Sequence, residues 1–325
     1  MSFRRYAARR IGFALLSTVV VMTAMFLVLA FVRLPAPGTV FGGKPPGVPS
    51  DGSIPLYVRY VDWMTQFLTL NWGSVRGSPS VGVLGDRPVP PTIRTLVAQR
   101  LLVTATYAVP GFLGAILFGL IVGYDGATAA GSVRDQLGRL VVYAVFALPV
   151  IVVSLFAFEF LVRDVLVAPT EQAIVDATRP PWAPFNLVRS VVPAALVTAA
   201  FVGPTARHAR SATLDRLDTD VIRLVRAKGG GPLTVARHVA RRVVGQLVAA
   251  VVAETLGIVL LAAIMIEIAF EISGFGRLVL FAAVERQPSL IAAVTFVTAL
   301  LGIGGNLLAD LLRAAVDPRT TEDGP

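Results

Sequence analysis

Cysteine is absent from the 325 residues and histidine occurs twice, which excludes disulfide bridges, thiolate metal sites and a histidine-built metal cluster. Charge is scarce too: Asp, Glu, Lys and Arg make up 15% of the chain, against 55% hydrophobic residues. The mean hydropathy of +0.74 belongs to a protein that is solvated largely by lipid. The apolar runs lack period-two alternation, which excludes a membrane β-barrel. A phosphate-cradling G-x-x-x-x-G-K-[ST] loop is also missing, because the one Gly-Lys pair, Gly43-Lys44, runs into Pro45. ATP hydrolysis is therefore not expected of this chain, and no motif groups a nucleophile, a base and an orienting residue.

What the chain does have is long apolar runs. A hydrocarbon core of about 30 Å takes about 20 helical residues to cross. Runs of that length cover residues 11–32, 101–123, 140–162, 187–206, 246–270 and 289–312. The fold class expected is all-α, a polytopic membrane protein with six transmembrane helices. The first run is too long for a cleaved signal peptide and is read as a retained anchor. Arg4, Arg5, Arg9 and Arg10 precede it, and residues 207–245 hold nine Lys or Arg against three Asp. By the positive-inside rule both segments, and both termini, face the cytoplasm of a plasma-membrane protein. The seven basic residues of 33–100 weigh little, since long loops escape the rule.

The organisation expected is a cytoplasmic N-terminus and first span over 1–32, an extracytoplasmic loop over 33–100, a five-helix core over 101–312 and a cytoplasmic tail over 313–325. In the loop, Leu56, Tyr60, Trp63, Met64, Phe67 and Leu68 recur at helical spacing, which predicts an amphipathic helix capping the bundle. "PAPG", "GGKPPG" and "RPVPP" around it read as turns and linkers. Gly119 with Gly123, and Gly302, Gly304 and Gly305, are small enough to let helices approach closely. Pro110 and Pro149 predict kinks. Glu159, Glu254, Glu267 and Glu271 are carboxylates within or beside spans, where they are costly. Glu159 and Glu271 fall near the outer ends, leaving Glu254 and Glu267 as candidates for an aqueous translocation path.

One stretch stands apart from the oil, "DTDVIRLVRAKGGGPLTVARHVARR" at residues 218–242. Val221, Leu224 and Val225 form one apolar stripe and Ala236, Val239, Ala240 and Val243 another, each at i, i+3 or i+4 spacing. Between them "GGGP" ends one helix and starts the next. The spacing predicts a short cytoplasmic helix, a bend, and a second helix running into the fifth span. Lipid headgroups attract such arginines, but they need no glycine bend at a set position, whereas docking into a protein cleft does. Nucleic acid is not an expected partner.

"DVIRLVRAKG" followed by "RHVARR" resembles the cytoplasmic coupling motif of binding-protein-dependent ABC importer permeases, in the dipeptide, oligopeptide and nickel family, B-type subunit. "ARHARSATLDRLDTD" upstream resembles the run into that motif, and "RRYAARR" resembles the family's N-terminus. "VRYVDWMTQFLTLNWGS" and "RPVPPTIRTLVAQRLLVTATYA" resemble the outer loop and second span. "IEIAFEISGFGRLVLFAAVERQPSL" and "NLLADLLRAAVDPR" resemble the last outer loop and the C-terminal signature. The sequence departs from the pattern at "GGGP", at Asn71 and Trp72 before Gly73, and at Ser273 before Gly274.

The resemblance implies a type I importer permease fold and a non-catalytic subunit forming half of a translocation pathway for peptides. It further implies four kinds of partner: a second homologous permease, two cytoplasmic ATP-binding subunits that use ATP and Mg, an extracytoplasmic solute-binding protein, and the lipid bilayer. No cofactor or metal is expected on this chain. Residues 207–245 become the coupling segment, with Asp220, Arg223, Arg226, Ala227, Lys228, Gly229 and His238 at the ATPase contact. The same machinery importing nickel, glutathione or an oligosaccharide is the alternative. A proton-driven secondary transporter is a second one, but no chain of carboxylates along one route and no inverted repeat is evident.

Overall fold

A computed structural model describes residues 3–31, 55–74, 92–163, 180 and 182–316. The linkers "PAPG", "GGKPPG" and "RPVPP", most of loop 163–186 and the tail beyond Val316 lie outside the described residues. Every named element among those described is a helix.

Three helices are long and apolar enough to cross a membrane. They are α1 (Phe3–Phe31), α3 (Ile93–Thr128) and α11 (Pro288–Val316). A further apolar pair is sharply bent, a broken span or a re-entrant loop: α4 (Val133–Ala147) and α5 (Val150–Ala157), the latter continuing as a π-helical turn over Phe158–Arg163, meet at 85°. The sequence reading takes 140–162 as one span with a kink. The structure corrects this to a break, because Pro149 brings no N–H to a continuing helix and holds Leu148 extended at ψ 129°. The remaining two expected spans fall on α6 (Pro184–Arg189) with α7 (Val191–Leu217), and on α9 (Pro232–Ala269). The expected six spans are thus established as three, or four with the bent pair.

Local chemistry sets the ends. Thr92 caps α3 by accepting from the Thr95 N–H at 3.3 Å, and Ser132 caps α4 by accepting from the Asp135 N–H at 3.2 Å. Pro232 opens α9 where its missing N–H costs nothing. From there α9 runs unbroken into the fifth expected span, as the sequence predicts.

The core of the bundle is α3 against α7, with α9 behind. Gly119 and Gly123 permit this approach: a Cβ on either would sit 2.6 Å from Thr205 or Ala209. Gly302 and Gly304 do not serve that end among the described residues, since a Cβ on either would meet nothing of these within 4 Å. The expectation of close packing is corrected for these two, which lie on an open face of α11, while Gly305 beside them is buried.

At one end of the bundle α2 (Leu56–Leu68) packs across α1 and α11 through Tyr60, Trp63, Met64 and Phe67, as the periodicity predicts, whereas Leu56 and Leu68 of the expected stripe are exposed. An aromatic ladder holds it. Phe26 stands 5.5 Å from Trp63, Trp63 4.5 Å from Phe67, Phe67 5.9 Å from Trp72, and Trp72 5.9 Å from Phe296. Such pairs contribute about 0.5–1.5 kcal/mol each beyond burial. The Thr23 and Tyr60 hydroxyls meet at 2.7 Å, and Arg10 pairs with Asp310 at 3.1 Å toward the other end of α1 and α11. One short helix, α10 (Phe275–Val284), was not anticipated. It tucks into the bundle between α9 and α11, with Phe275, Leu278 and Ala282 buried.

Candidate functional site

The expected coupling segment is built on α8 (Asp220–Ala227), a two-turn helix that follows α7 through Thr219. Eight residues cannot hold a helix in water unaided, so tertiary anchoring and capping must do it. The anchor is Ile222, 3% exposed, packed with Val235, Val239 and Val243 of α9 and with Ala209 of α7. The expected stripe is thereby shifted by a residue: Val221 and Leu224 are 52% and 55% exposed, and only Val225 of the three is half-buried. On α9 the buried line is Val235, Val239, Val243, Leu247 and Val251 at steps of four, with Ala236 and Ala240 at its edge.

The end of α8 is a Schellman motif. The Gly230 N–H donates to the Val225 carbonyl at 2.9 Å and the Gly229 N–H to the Arg226 carbonyl at 3.0 Å. Gly229 takes φ +78°, the left-handed region that glycine enters without penalty. Gly231 then extends the backbone and Pro232 starts α9, so the quoted glycines are a turn with a defined shape.

Every residue expected at the ATPase contact lies on the outside of this turn. Asp220, Arg223, Arg226, Ala227, Lys228 and Gly229 are exposed in sequence order along α8, and His238 is exposed two turns into α9 with Nδ1 2.9 Å from the Thr234 carbonyl oxygen. Arg223 and Asp220 approach to 3.6 Å with both side chains in solvent. Three apolar side chains, Val221, Leu224 and Leu233, are exposed beside these charges. The combination of fixed backbone shape, cations and uncovered apolar groups is that of a surface made to be covered.

The carboxylates expected on a path are not near it. Glu267 lies 29 residues along α9 from His238, about 40 Å at helical rise. The side chain of Glu254, between them, lies outside the described residues. Glu267 has no exposed surface. Its Oε1 accepts from the Thr104 hydroxyl and from the Tyr107 hydroxyl at 2.8 Å, and its Oε2 accepts from the Arg277 N–H at 2.7 Å. Thr104 also accepts from the Phe275 N–H at 2.8 Å. A carboxylate on α9 and a hydroxyl on α3 thus serve as the N-terminal cap of α10, satisfying donors that its own sequence leaves open. Gly274 is required at this junction, because a Cβ there would overlap the Glu267 carboxylate. Arg100 donates to the Ser273 carbonyl and Arg277 to that of Glu271, closing the loop on both sides. Glu271 is itself exposed at φ +53°, and Glu159 sits in the π-helical turn after α5.

Sequence reasoning missed Ile222, Thr104, Tyr107 and Arg100. Thr104 and Tyr107 carried a readable signal: two hydroxyls at i, i+3 within an apolar span need partners in lipid.

Residues 115–322 match the model of the family described as "Binding-protein-dependent transport system inner membrane component". The chain belongs to that family. It is similar to the metal-staphylopine import system permease protein of Staphylococcus aureus (strain Mu50), 24% identical over 270 residues that cover 82% of this chain and 79% of that one. It is 24% identical over 266 residues to a Sinorhizobium fredii protein named "Probable peptide ABC transporter permease protein", covering 82% and 80%. The glutathione transport system permease protein of Salmonella typhimurium is 26% identical over 265 residues, covering 81% and 79%. This ABC-importer permease is therefore a B-type, non-catalytic subunit of the translocation pathway in the peptide, nickel and metal subfamily, and a multi-pass membrane protein. The family's general architecture combines paired permeases, ATPases and a solute-binding protein.

Proposed function

We propose that this permease crosses the plasma membrane six times with both termini in the cytoplasm, pairs with a second, non-identical permease, and passes peptides into the cell. Two cytoplasmic ATP-binding subunits grip α8, and an extracytoplasmic solute-binding protein delivers the cargo. ATP and Mg act on those subunits. The observation that carries this reading is α8 itself, a helix pinned by one side chain and closed by a glycine turn, with its charges and two of its apolar residues turned outward. A knob of that kind converts closure of a partner's cleft into rigid-body motion of α7 and α9, to which it is joined.

Asp220 begins the knob, Ala227 and Gly229 keep its end slim, and Arg223, Arg226, Lys228 and His238 supply rim charges. The open face of α11 at Gly302, Gly304 and exposed Asn306 supports pairing with the second permease. Peptides are favoured as cargo because the named relatives include a peptide and a glutathione permease, although nickel, glutathione itself or an oligosaccharide would use the same machinery.

The test is co-reconstitution in proteoliposomes with the ATPases and the binding protein, with and without the second permease. Peptide uptake is expected only with ATP and with both permeases. Uptake with this permease alone, or uptake driven by a proton gradient after ATP depletion, overturns the reading. For topology, the cysteine-free chain permits single labels: Ser78→Cys should react with an impermeant maleimide in intact cells and Ser211→Cys should not.

A further inference from the structure

A cavity of about 230 Å³ opens between the last turns of α3, the first turns of α4 and the second half of α7. It lies at the α8 end of the bundle, where α3 emerges from its apolar run; Arg207, Arg210, Ser211 and Leu214 from the start of the 207–245 segment line it, but none of the residues expected at the ATPase contact or on the path does. Its charged lining is Arg134, Arg139, Arg207 and Arg210 with Asp125 and Asp135, a surplus of two positive charges.

The pairs within it are unequal. Asp135 is buried and already committed: Arg210 grips it from Nε at 3.2 Å and from a terminal nitrogen at 3.0 Å, the Gly131 N–H donates to it at 3.2 Å, and Arg139 approaches at 3.5 Å. Asp125 is taken by Arg134 at 2.6 Å. Arg207 is exposed and makes no ion pair among the described residues. One carboxylate thus fixes two of the arginines, and the remaining positive charge has no anion facing it among the described residues.

The other lining decides what class of anion fits. Asp125 and Val122 continue along α3 to Ile121 and Phe118, 55% and 53% exposed, while Arg139 and Val142 continue along α4 to Tyr143 and Phe146, 48% and 52% exposed. Both steps are i, i+3 or i+4, so each helix runs from the charged floor to an apolar strip on the same face. A free oxyanion uses only the charged end; an amphiphile uses both. We propose that this cleft holds the headgroup phosphate of an anionic phospholipid from the leaflet on the α8 side, with an acyl chain along the Phe118 and Phe146 strips. Basic pockets between spans take such headgroups on charge and geometry alone.

Native mass spectrometry of the full chain, titrated with phosphatidylglycerol, phosphatidylcholine or inorganic phosphate, tests it. One phosphatidylglycerol is expected to be retained about tenfold more tightly than phosphatidylcholine, without displacement by millimolar phosphate. Arg207→Glu cancels the surplus at an exposed position and should lower phosphatidylglycerol retention about tenfold, while Arg207→Lys keeps most of it. Arg94→Glu, an equal charge change at the far end of α3, should leave it unaltered. Equal loss in both glutamate variants, no preference between the two lipids, or displacement by phosphate alone each overturns the proposal, the last in favour of a free anion.

Discussion

The two ends of α9 obey opposite rules. At Glu267 each carboxylate oxygen accepts at least one hydrogen bond, the surrounding Tyr107, Phe270 and Phe275 are buried, and the donors left open at the start of α10 are filled from α3 and α9. At α8 one isoleucine is buried while four charged side chains and two apolar ones face outward. The first end is complete within the chain. The second keeps its shape but leaves surface that no described residue of this chain covers. The proposed function, in which separate ATPase subunits act on α8, calls for that asymmetry.

Breaking the comparison from its stable end gives the largest expected effect on folding. Glu267→Ala leaves the Tyr107 hydroxyl and the Arg277 N–H without acceptors, and unsatisfied buried donors cost about 1–3 kcal/mol each. A loss of about 3 kcal/mol or more is expected, seen as a lower thermal midpoint of the purified protein and as proteolysis within 270–287. Glu267→Gln keeps one acceptor oxygen and should lose less. If the alanine variant melts like the parent and only transport changes, Glu267 is a pathway residue and not a fastener.

At the coupling end the anchor comes next. Ile222→Ala removes the one buried side chain of α8 and should cost about 2–3 kcal/mol, at the lower range for core truncations because Val225 can settle into part of the gap. Leu224→Ala, two positions along and exposed, should leave the midpoint unchanged and lower substrate-stimulated ATP hydrolysis. An equal effect of the two on stability would mean that the outward face of α8 is covered by this chain after all.

These contrasts also mark how far the sequence could be read. Helix existence was legible because periodicity and run length are local: α1, α2, α3, the start of α9 and α11 all follow from spacing. What failed was whatever depends on a distant neighbour. Ile222, and not Val221 or Leu224, faces inward because α9 folds back over it, and the five-residue stripe alone admits either face. Thr104 lies 163 residues from Glu267, and Arg210 lies 75 from Asp135, so neither junction has a sequence signature. Gly119 and Gly302 look alike in sequence, yet α7 fills the space beside the first and no described residue fills the second. At Pro149 a kink is expected and the 85° bend exceeds it, since a proline marks the place of an interruption but not its angle, while α10 was missed because its ten residues are too short to stand out as a span between two longer apolar runs.

Gly229→Trp should have a smaller effect on stability and the largest one on transport. Among the described residues no atom lies within 4 Å of where its Cβ would stand, so the cost there is backbone strain at φ +78°, about 1–2 kcal/mol. The variant should insert and fold, yet peptide uptake and substrate-stimulated ATP hydrolysis should both be abolished, because the indole would occupy the space of the partner's cleft. Normal transport by this variant would remove α8 as the coupling element.

Lys228→Gln is the mildest of the set and sharpens the comparison most. Lys228 ends α8, its N–H donates to the Leu224 carbonyl at 3.0 Å, and its side chain is exposed. The backbone bond survives substitution, so the turn and the φ of Gly229 should be unaffected. What is lost is one cation near the C-terminal end of a short helix and one rim charge toward the partner, and exposed pairs as a class contribute about 0–1 kcal/mol. The thermal midpoint should not move, and uptake should fall by less than about fivefold, with the deficit growing smaller as salt is raised. Shape would then outweigh charge at this contact. If glutamine at 228 abolishes uptake as completely as tryptophan at 229, the order is reversed: the partner reads the cations of α8 first, and the glycine turn serves only to present them.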